Sequence, residues 1–177
     1  WLSVSCFNLY SYFKNNYDNL NLFYGFLISS CIWSLTEYIF HRFLLHYVLI
    51  REHLKHHKFP NKLSIIHTPM FFTTINWFIY KYIFENIFSH QILISYYIFF
   101  PLFYLSFEIT HLLTHSYQGK NKIILGAKTY HKLHHINDKV NYSFVTSFWD
   151  FLFGTLSPKY HVSWLELMFG FIPFYSF

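Results

Sequence analysis

Long apolar runs alternate with short polar stretches along the chain, and the alternation predicts helices that enter and leave a bilayer. Residues 22–40 are almost entirely apolar, with one carboxylate, Glu37, near the end. That length matches the roughly 20 residues a helix needs to cross the hydrocarbon. Pro69 to Phe88 and Ile92 to Leu113 are two further span candidates, separated by the polar turn Ser89-His90-Gln91. Pro69 suits the first turn of a helix, where its missing N–H has no partner to lose. Lys81 and Glu85, four apart beside that turn, are placed to pair or to reach the interface. Residues 1–13 are apolar but too short to span, so they are expected to be an interfacial segment or the tail of a truncated span. Lys14 to Asn21 interrupts with Asn15, Asn16, Asp18 and Asn19, which favour a turn. Residues 161–177 are again apolar and short. The expected organisation is therefore an N-terminal segment 1–21, a membrane domain 22–160 and an apolar C-terminal segment 161–177. The opening residue is Trp1 rather than Met, which leads us to expect a fragment of a longer chain.

Composition strengthens the membrane reading: 54% of the 177 residues are hydrophobic, 25% aromatic and only 12% charged. The net charge of +5 raises the question of nucleic acid, but no nucleic-acid-binding motif accompanies it. The basic residues instead flank the apolar runs. Arg42, Arg51, Lys55, Lys58 and Lys62 follow the first, and Lys120, Lys122, Lys128, Lys132 and Lys139 follow the last. Both stretches are cytosolic by the positive-inside rule. Two spans that cross and return bring them to the same side. Asn141 to Thr155 is amphipathic and aromatic enough to lie on the membrane surface. Cys6 and Cys31 lack C-x-x-C spacing, so thiolate ligation is not suggested.

Ten of the thirteen histidines fall into four boxes: His41 and His46; His53, His56 and His57; His111 and His115; His131, His134 and His135. On an α-helix, residues three and four apart share a face, so the second, third and fourth boxes each converge on one point. His41 and His46 are about 140° apart on such a helix and about 7.5 Å along it, so they reach one metal from its edge or serve two neighbouring metals. Imidazole ligates iron, copper, nickel and zinc, and four boxes are hard to explain as packing. The expectation is a polynuclear metal centre. His67, His90 and His161 lie outside the boxes and are assigned no metal. Glu37 stands one turn before His41, where a carboxylate either accepts the second ring N–H of a ligating histidine or is an ordinary interfacial charge. Next to acyl chains such a centre implies C–H chemistry, which needs a redox metal. Iron is therefore expected, with zinc able to replace it in a purified protein.

The run Glu37 to His46, His56-His57-Lys58-x-Pro60, Thr110-His111-x-x-x-His115, Tyr130-His131-x-x-His134-His135 and Thr146-Ser147-x-Trp149-Asp150-x-x-Phe153-Gly154-Thr155 resemble the fatty acid 2-hydroxylases. These belong to the fatty acid hydroxylase and sterol desaturase superfamily, and the resemblance covers residues 33–158 with all boxes in order. It implies an all-α, multi-pass protein of the endoplasmic reticulum membrane. Its transmembrane helices would carry a cytosolic helical cap with two metal ions held by the ten box histidines. It further implies molecular oxygen as co-substrate, a cytochrome-b5-type electron donor, and hydroxylation at carbon 2 of acyl chains in ceramides and other sphingolipids. Glu37, Glu108, Tyr130 and Asp150 are candidates to support the ligands.

Some positions depart from the pattern. The connection from His46 to His53 is short, Phe107-Glu108 replaces a Tyr-Asp pair, and Asn141-Tyr142-Ser143-Phe144 replaces a Gly-aromatic-Gly run. That last change resembles the sphinganine 4-hydroxylase and sterol desaturase branches, which form the main alternative. No haem motif of a fused cytochrome-b5-like domain is present, so the donor is expected on another chain or a missing portion. An acyl-chain desaturase fits less well, because its membrane region before the last box is longer and it lacks the Trp-Asp-x-x-Phe-Gly-Thr tail. A metal transporter would carry polar ligands near the bilayer midplane, whereas these boxes sit at span ends.

Overall fold

A computed structural model describes residues 1–62 and 70–160. Among them every regular element is a helix, with no strand. Helix α1 is Leu2–Lys14, α2 Asn19–Ile39, α3 Ile50–Lys58, α4 Met70–Phe84, α5 His90–Ser116, α6 Lys122–Ile136 and α7 Phe148–Leu152. Helix α2 continues without a break into a π-helical stretch, Phe40–Val48. The expected C-terminal segment 161–177, with His161, and the stretch holding His67 and Pro69 lie outside the described residues.

Among the described residues, two helices are long and apolar enough to cross a bilayer: α2 with its π-helical extension, Asn19–Val48, and α5. They contain the expected spans at 22–40 and 92–113. Of the span expected over 69–88, the described residues show α4 from Met70 to Phe84, and its expected start at Pro69 lies outside them. Its chain turns off where Glu85, Asn86 and Ser89 follow the apolar run. Phe7, Tyr10, Phe13, Phe23, Phe71, Phe78 and Tyr82 all stand exposed. An outward row of large apolar side chains on α1, α2 and α4 suits lipid rather than water.

The chain divides into two compact units. One draws on residues 1–33 and 70–106 and the other on 34–62 and 107–160. The first is packed mainly by rings. Trp33 meets Phe100 and Tyr104 edge-on at 5.2 and 5.6 Å, and Phe26 meets Phe99 at 5.3 Å. Gly25 allows α2 and α5 to touch, because a Cβ there would lie 2.1 Å from the Cβ of Ser95. Asn21 and Gln91 join the same two helices by a 2.6 Å hydrogen bond.

The second unit holds all four histidine boxes. Asn121 caps α6 by accepting from the N–H groups of Ile123 and Ile124 at 3.0 and 3.3 Å. The segment 137–147 is irregular, yet Asn141, Tyr142, Ser143 and Ser147 are buried. This differs from the amphipathic surface segment expected over 141–155. Only Phe148, Phe151, Leu152 and Phe153 there are exposed large apolar residues. The rest is drawn inward because its backbone N–H groups find buried carboxylates.

Candidate metal centre

The π-helical stretch changes how the first box is presented. Bonding from residue i to i+5, as from the Leu49 N–H to the Leu44 carbonyl at 2.7 Å, brings side chains five apart onto one face. His41 and His46 therefore face each other, with ring centroids 5.2 Å apart. An α-helix would have splayed them, so the edge-or-two-metals alternative resolves into one shared point.

The ten box histidines gather into two groups. His41, His46, His53, His57 and His134 present ring nitrogens within 4.8 Å of one another, as do His56, His115, His131 and His135. His111 joins the second group through its Nε2, 3.2 Å from that of His56. Each group thus combines a span end with both α3 and α6. His53 and His56, three apart on α3, serve different groups.

The nitrogens approach as ligands of one ion do. Nε2 separations are 3.2 Å for His41 and His53, 3.1 Å for His46 and His53, 3.0 Å for His53 and His57, and 2.9 Å for His115 and His131. An ion with metal–nitrogen bonds of about 2.1 Å places neighbouring donors about 3.0 to 3.4 Å apart. Mutual hydrogen bonding cannot satisfy five convergent nitrogens, since each neutral ring has one N–H. The donor set is all imidazole, which suits iron, copper, nickel or zinc.

Burial keeps these rings neutral. On α3 and α6, His53, His131 and His134 are held well below the ordinary imidazole value by burial and then by their histidine neighbours. His56 and His135 are lowered to about 3 for the same reasons. For His134 the Val140 carbonyl opposes the shift, and for His57 the Asp138 carboxylate does. Neutral imidazoles keep the lone pairs that ligation needs.

The irregular segment 140–145 orients the first group. His41 donates its Nδ1–H to the Tyr142 carbonyl, and His134 donates its Nδ1–H to that of Val140 at 2.7 Å. These bonds direct the Nε2 atoms inward. Two carboxylates hold the segment. Glu37 accepts from the N–H groups of Phe144 and Val145, the latter at 3.1 Å. Asp150 accepts from Tyr142 N and Ser143 N at 2.9 and 2.8 Å, from the Tyr130 hydroxyl at 2.6 Å and from the Thr155 hydroxyl at 2.7 Å. Burial pushes the Asp150 carboxyl up, against those four donated bonds.

Of the four supporting candidates, Glu37, Tyr130 and Asp150 therefore meet around this segment. The bond expected between Glu37 and the His41 ring is absent, because the Tyr142 carbonyl takes that N–H. Glu108 is half-buried on α5, three residues before His111.

Sequence reasoning missed Asn141, Tyr142 and Phe144. Asn141 has a positive φ of 54°, and its side chain accepts from Ser157 N at 2.8 Å and donates to the Tyr130 carbonyl at 3.1 Å. The signal was the Gly-aromatic-Gly departure itself: asparagine tolerates the left-handed backbone that glycine adopts freely.

Comparison with known proteins agrees with this geometry. The profile of the fatty acid hydroxylase family matches residues 26–155. The ceramide very long chain fatty acid hydroxylase scs7 of Schizosaccharomyces pombe is 29% identical over 150 residues, covering 77% of this chain and 43% of its own length. Human fatty acid 2-hydroxylase is 27% identical over 156 residues, covering 76% of this chain and 40% of its own. The dihydroceramide fatty acyl 2-hydroxylase FAH1 of Arabidopsis thaliana is 31% identical over 139 residues, covering 71% and 57%. The chain thus spans about half the length of these relatives. A solved structure described as full-length scs7p, with only its hydroxylase domain visible, shares the fold at a TM-score of 0.76 and 22% identity, covering 92% of this chain and 66% of that one. The chain belongs to the fatty acid hydroxylase family.

Proposed function

We propose that this chain is the membrane-bound core of an oxygen-dependent hydroxylase acting at carbon 2 of fatty acyl chains in sphingolipids. The observation that carries the reading is the pair of convergent imidazole groups, His41, His46, His53, His57 and His134 beside His56, His111, His115, His131 and His135. They would hold two metal ions, iron in function. Iron held there would supply reductive activation of molecular oxygen: one oxygen atom would enter a C–H bond and the other leave as water, with two electrons arriving one at a time from a cytochrome-b5-type donor and two protons from solvent. The relatives named as fatty acid and ceramide hydroxylases support the substrate class.

The chain's own residues prepare that chemistry. Burial keeps the imidazoles neutral, and the Tyr142 and Val140 carbonyls fix the tautomers of His41 and His134. Glu37 and Asp150 immobilise the backbone that carries those carbonyls. The half-buried histidines, His46, His57, His115 and His135, form the accessible edge of the two groups. The His57 and His135 rings stack at 4.3 Å across the groups. The spans, with the boxes at their ends and basic flanks beyond, fit a multi-pass protein of the endoplasmic reticulum membrane whose histidine cap faces the cytosol.

Mass spectrometry of sphingolipids tests this, in cells that lack their own 2-hydroxylase and express the protein. The expected product is an acyl chain with one added oxygen at carbon 2. It should be absent when His53→Ala and His56→Ala remove one ligand from each group. The Asn141-Tyr142-Ser143-Phe144 run favours a sibling reading, and oxygen on the long-chain base or a new sterol double bond would transfer the assignment there. No lipid change, with expression and donor confirmed, would overturn the hydroxylase reading.

A further inference from the structure

We propose that Phe144 sets the register of the acyl chain, deciding which carbon faces the two imidazole groups. The inference rests on the hydroxylase reading and concerns a residue outside the histidine boxes. The Phe144 ring touches both groups. It stacks on His41 of the first with centroids 5.1 Å apart and planes 23° apart, and it meets His111 and His131 of the second at 4.4 and 4.6 Å. All three histidines are buried. Its fourth neighbour is Phe107, edge-on at 5.1 Å.

Two features make this ring a template rather than filler. The first is its fixed backbone. The Phe144 N–H is held by Glu37, and the N–H groups of Tyr142 and Ser143 just before it are held by Asp150. The ring is thus anchored on one side by carboxylates and on the other by the histidines. The second is its exposure: Phe144 is half-buried, whereas Phe107 and the three histidines it packs against are buried.

The chemistry of the two sides separates the reactants. The accessible edge carries half-buried imidazoles, and the charge of Asp138 acts on His57 there. Water, protons and electrons suit that edge. An alkyl chain gains by lying on carbon, and the half-buried Phe144, backed by the buried Phe107, offers an aromatic surface beside the histidines of both groups. The acyl chain lies along that surface, and the width of the Phe144 ring holds one carbon at the reacting position. A smaller side chain leaves room for the chain to slide.

The test compares Phe144→Ala and Phe144→Leu with the unaltered protein, loaded with metal and supplied with donor. The readouts are metal content per chain and the position of added oxygen along the acyl chain by tandem mass spectrometry. The unaltered protein is expected to give one positional isomer. Both variants are expected to keep two metals while the ratio of that isomer to its neighbours falls, by about tenfold for alanine and less for leucine. Should the unaltered protein oxidise no acyl chain, the hydroxylase reading itself fails. Should it give a single isomer that either metal-retaining variant reproduces unchanged, only this inference fails. Loss of metal from both variants, or loss of all product with metal retained, also overturns it, because Phe144 would then serve the centre rather than the register.

Discussion

Asn141 joins the end of α6 to the segment that orients the first histidine group, and it does so in a left-handed conformation. Its carboxamide bridges the Tyr130 carbonyl and the Ser157 N–H, both across buried surroundings. Replacing it with alanine leaves the Ser157 N–H unpaired, takes the second hydrogen bond from a Tyr130 carbonyl that stays bonded within α6, and puts an ordinary side chain at φ 54°. Asn141→Ala is expected to cost about 3 kcal/mol, and Asn141→Gly about 1 kcal/mol less because glycine accepts the backbone. Thermal unfolding of both variants in detergent checks this, and equal losses would remove the backbone contribution. The histidines themselves were legible because ligand spacing within a box is local. The residues that orient them were not. The Tyr142 carbonyl meets His41 across 101 positions, and the Phe144 N–H meets Glu37 across 107. No window along the chain contains both partners. Glu37 stood out as a lone carboxylate in an apolar run and Asp150 through the Trp-Asp motif, yet what both hold includes backbone, which carries no side-chain signature.

Among the elements, the π-helical stretch explains why reading His41 and His46 on α-helical geometry left two answers open. Periodicity assumes the helix type, and a one-residue widening is invisible in a pattern of apolar positions. The spans over α2 and α5 were legible from continuous apolar length. Over α4 the apolar run to Phe88 continues past the helix end at Phe84, since composition shows hydrophobicity but not where a helix stops. The contact of α2 with α5 gives a prediction of its own. A methyl group at position 25 would strike the Cβ of Ser95, so Gly25→Ala is expected to cost about 2 kcal/mol alone. In a Ser95→Gly background the cost should fall without vanishing, because the backbone carbonyl carbon and Cα of residue 95 still lie 3.0 and 3.1 Å from the added Cβ, and the coupling appears as non-additivity in a double-mutant cycle. Additive losses would show that the helices part without penalty. The histidines of α3 and α6 give a second. His56 and His135 are lowered to about 3 in the folded protein, whereas an unfolded chain binds those protons from about pH 6.5 downward. Their contribution to the stability of the metal-free protein is complete above that value and is lost as pH falls towards 3. Unfolding midpoints measured on either side of about pH 6.5 should therefore drop on acidification. A flat or rising profile would mean that these rings are already charged in the fold.

In the molecule as a whole, the two compact units rest on different forces, so removing metal should affect them differently. The unit of residues 1–33 and 70–106 is held by ring packing, the Gly25 approach and the Asn21–Gln91 bond, and none of these involves a box histidine. The unit of residues 34–62 and 107–160 is built inward onto ten imidazoles whose Nε2 atoms converge. With ions bound, each convergence is a set of metal bonds. Without them, buried lone pairs face one another with too few protons to pair, which costs free energy at every unsatisfied nitrogen. An ion that binds only the folded state stabilises it by about 4 kcal/mol at a concentration 1,000 times its dissociation constant, and two ions act on the same unit. Hydrogen exchange read by mass spectrometry, before and after chelation in detergent, is the measurement. Exchange should accelerate in α3, α6 and the segment 140–145, while α1 and α4 keep their protection. Reloading with ferrous ion should restore the slow pattern. Uniform acceleration would mean that the units unfold together. Unchanged exchange in α3 and α6 would mean that packing alone holds the histidines in place, and that the centre is preorganised before any ion arrives.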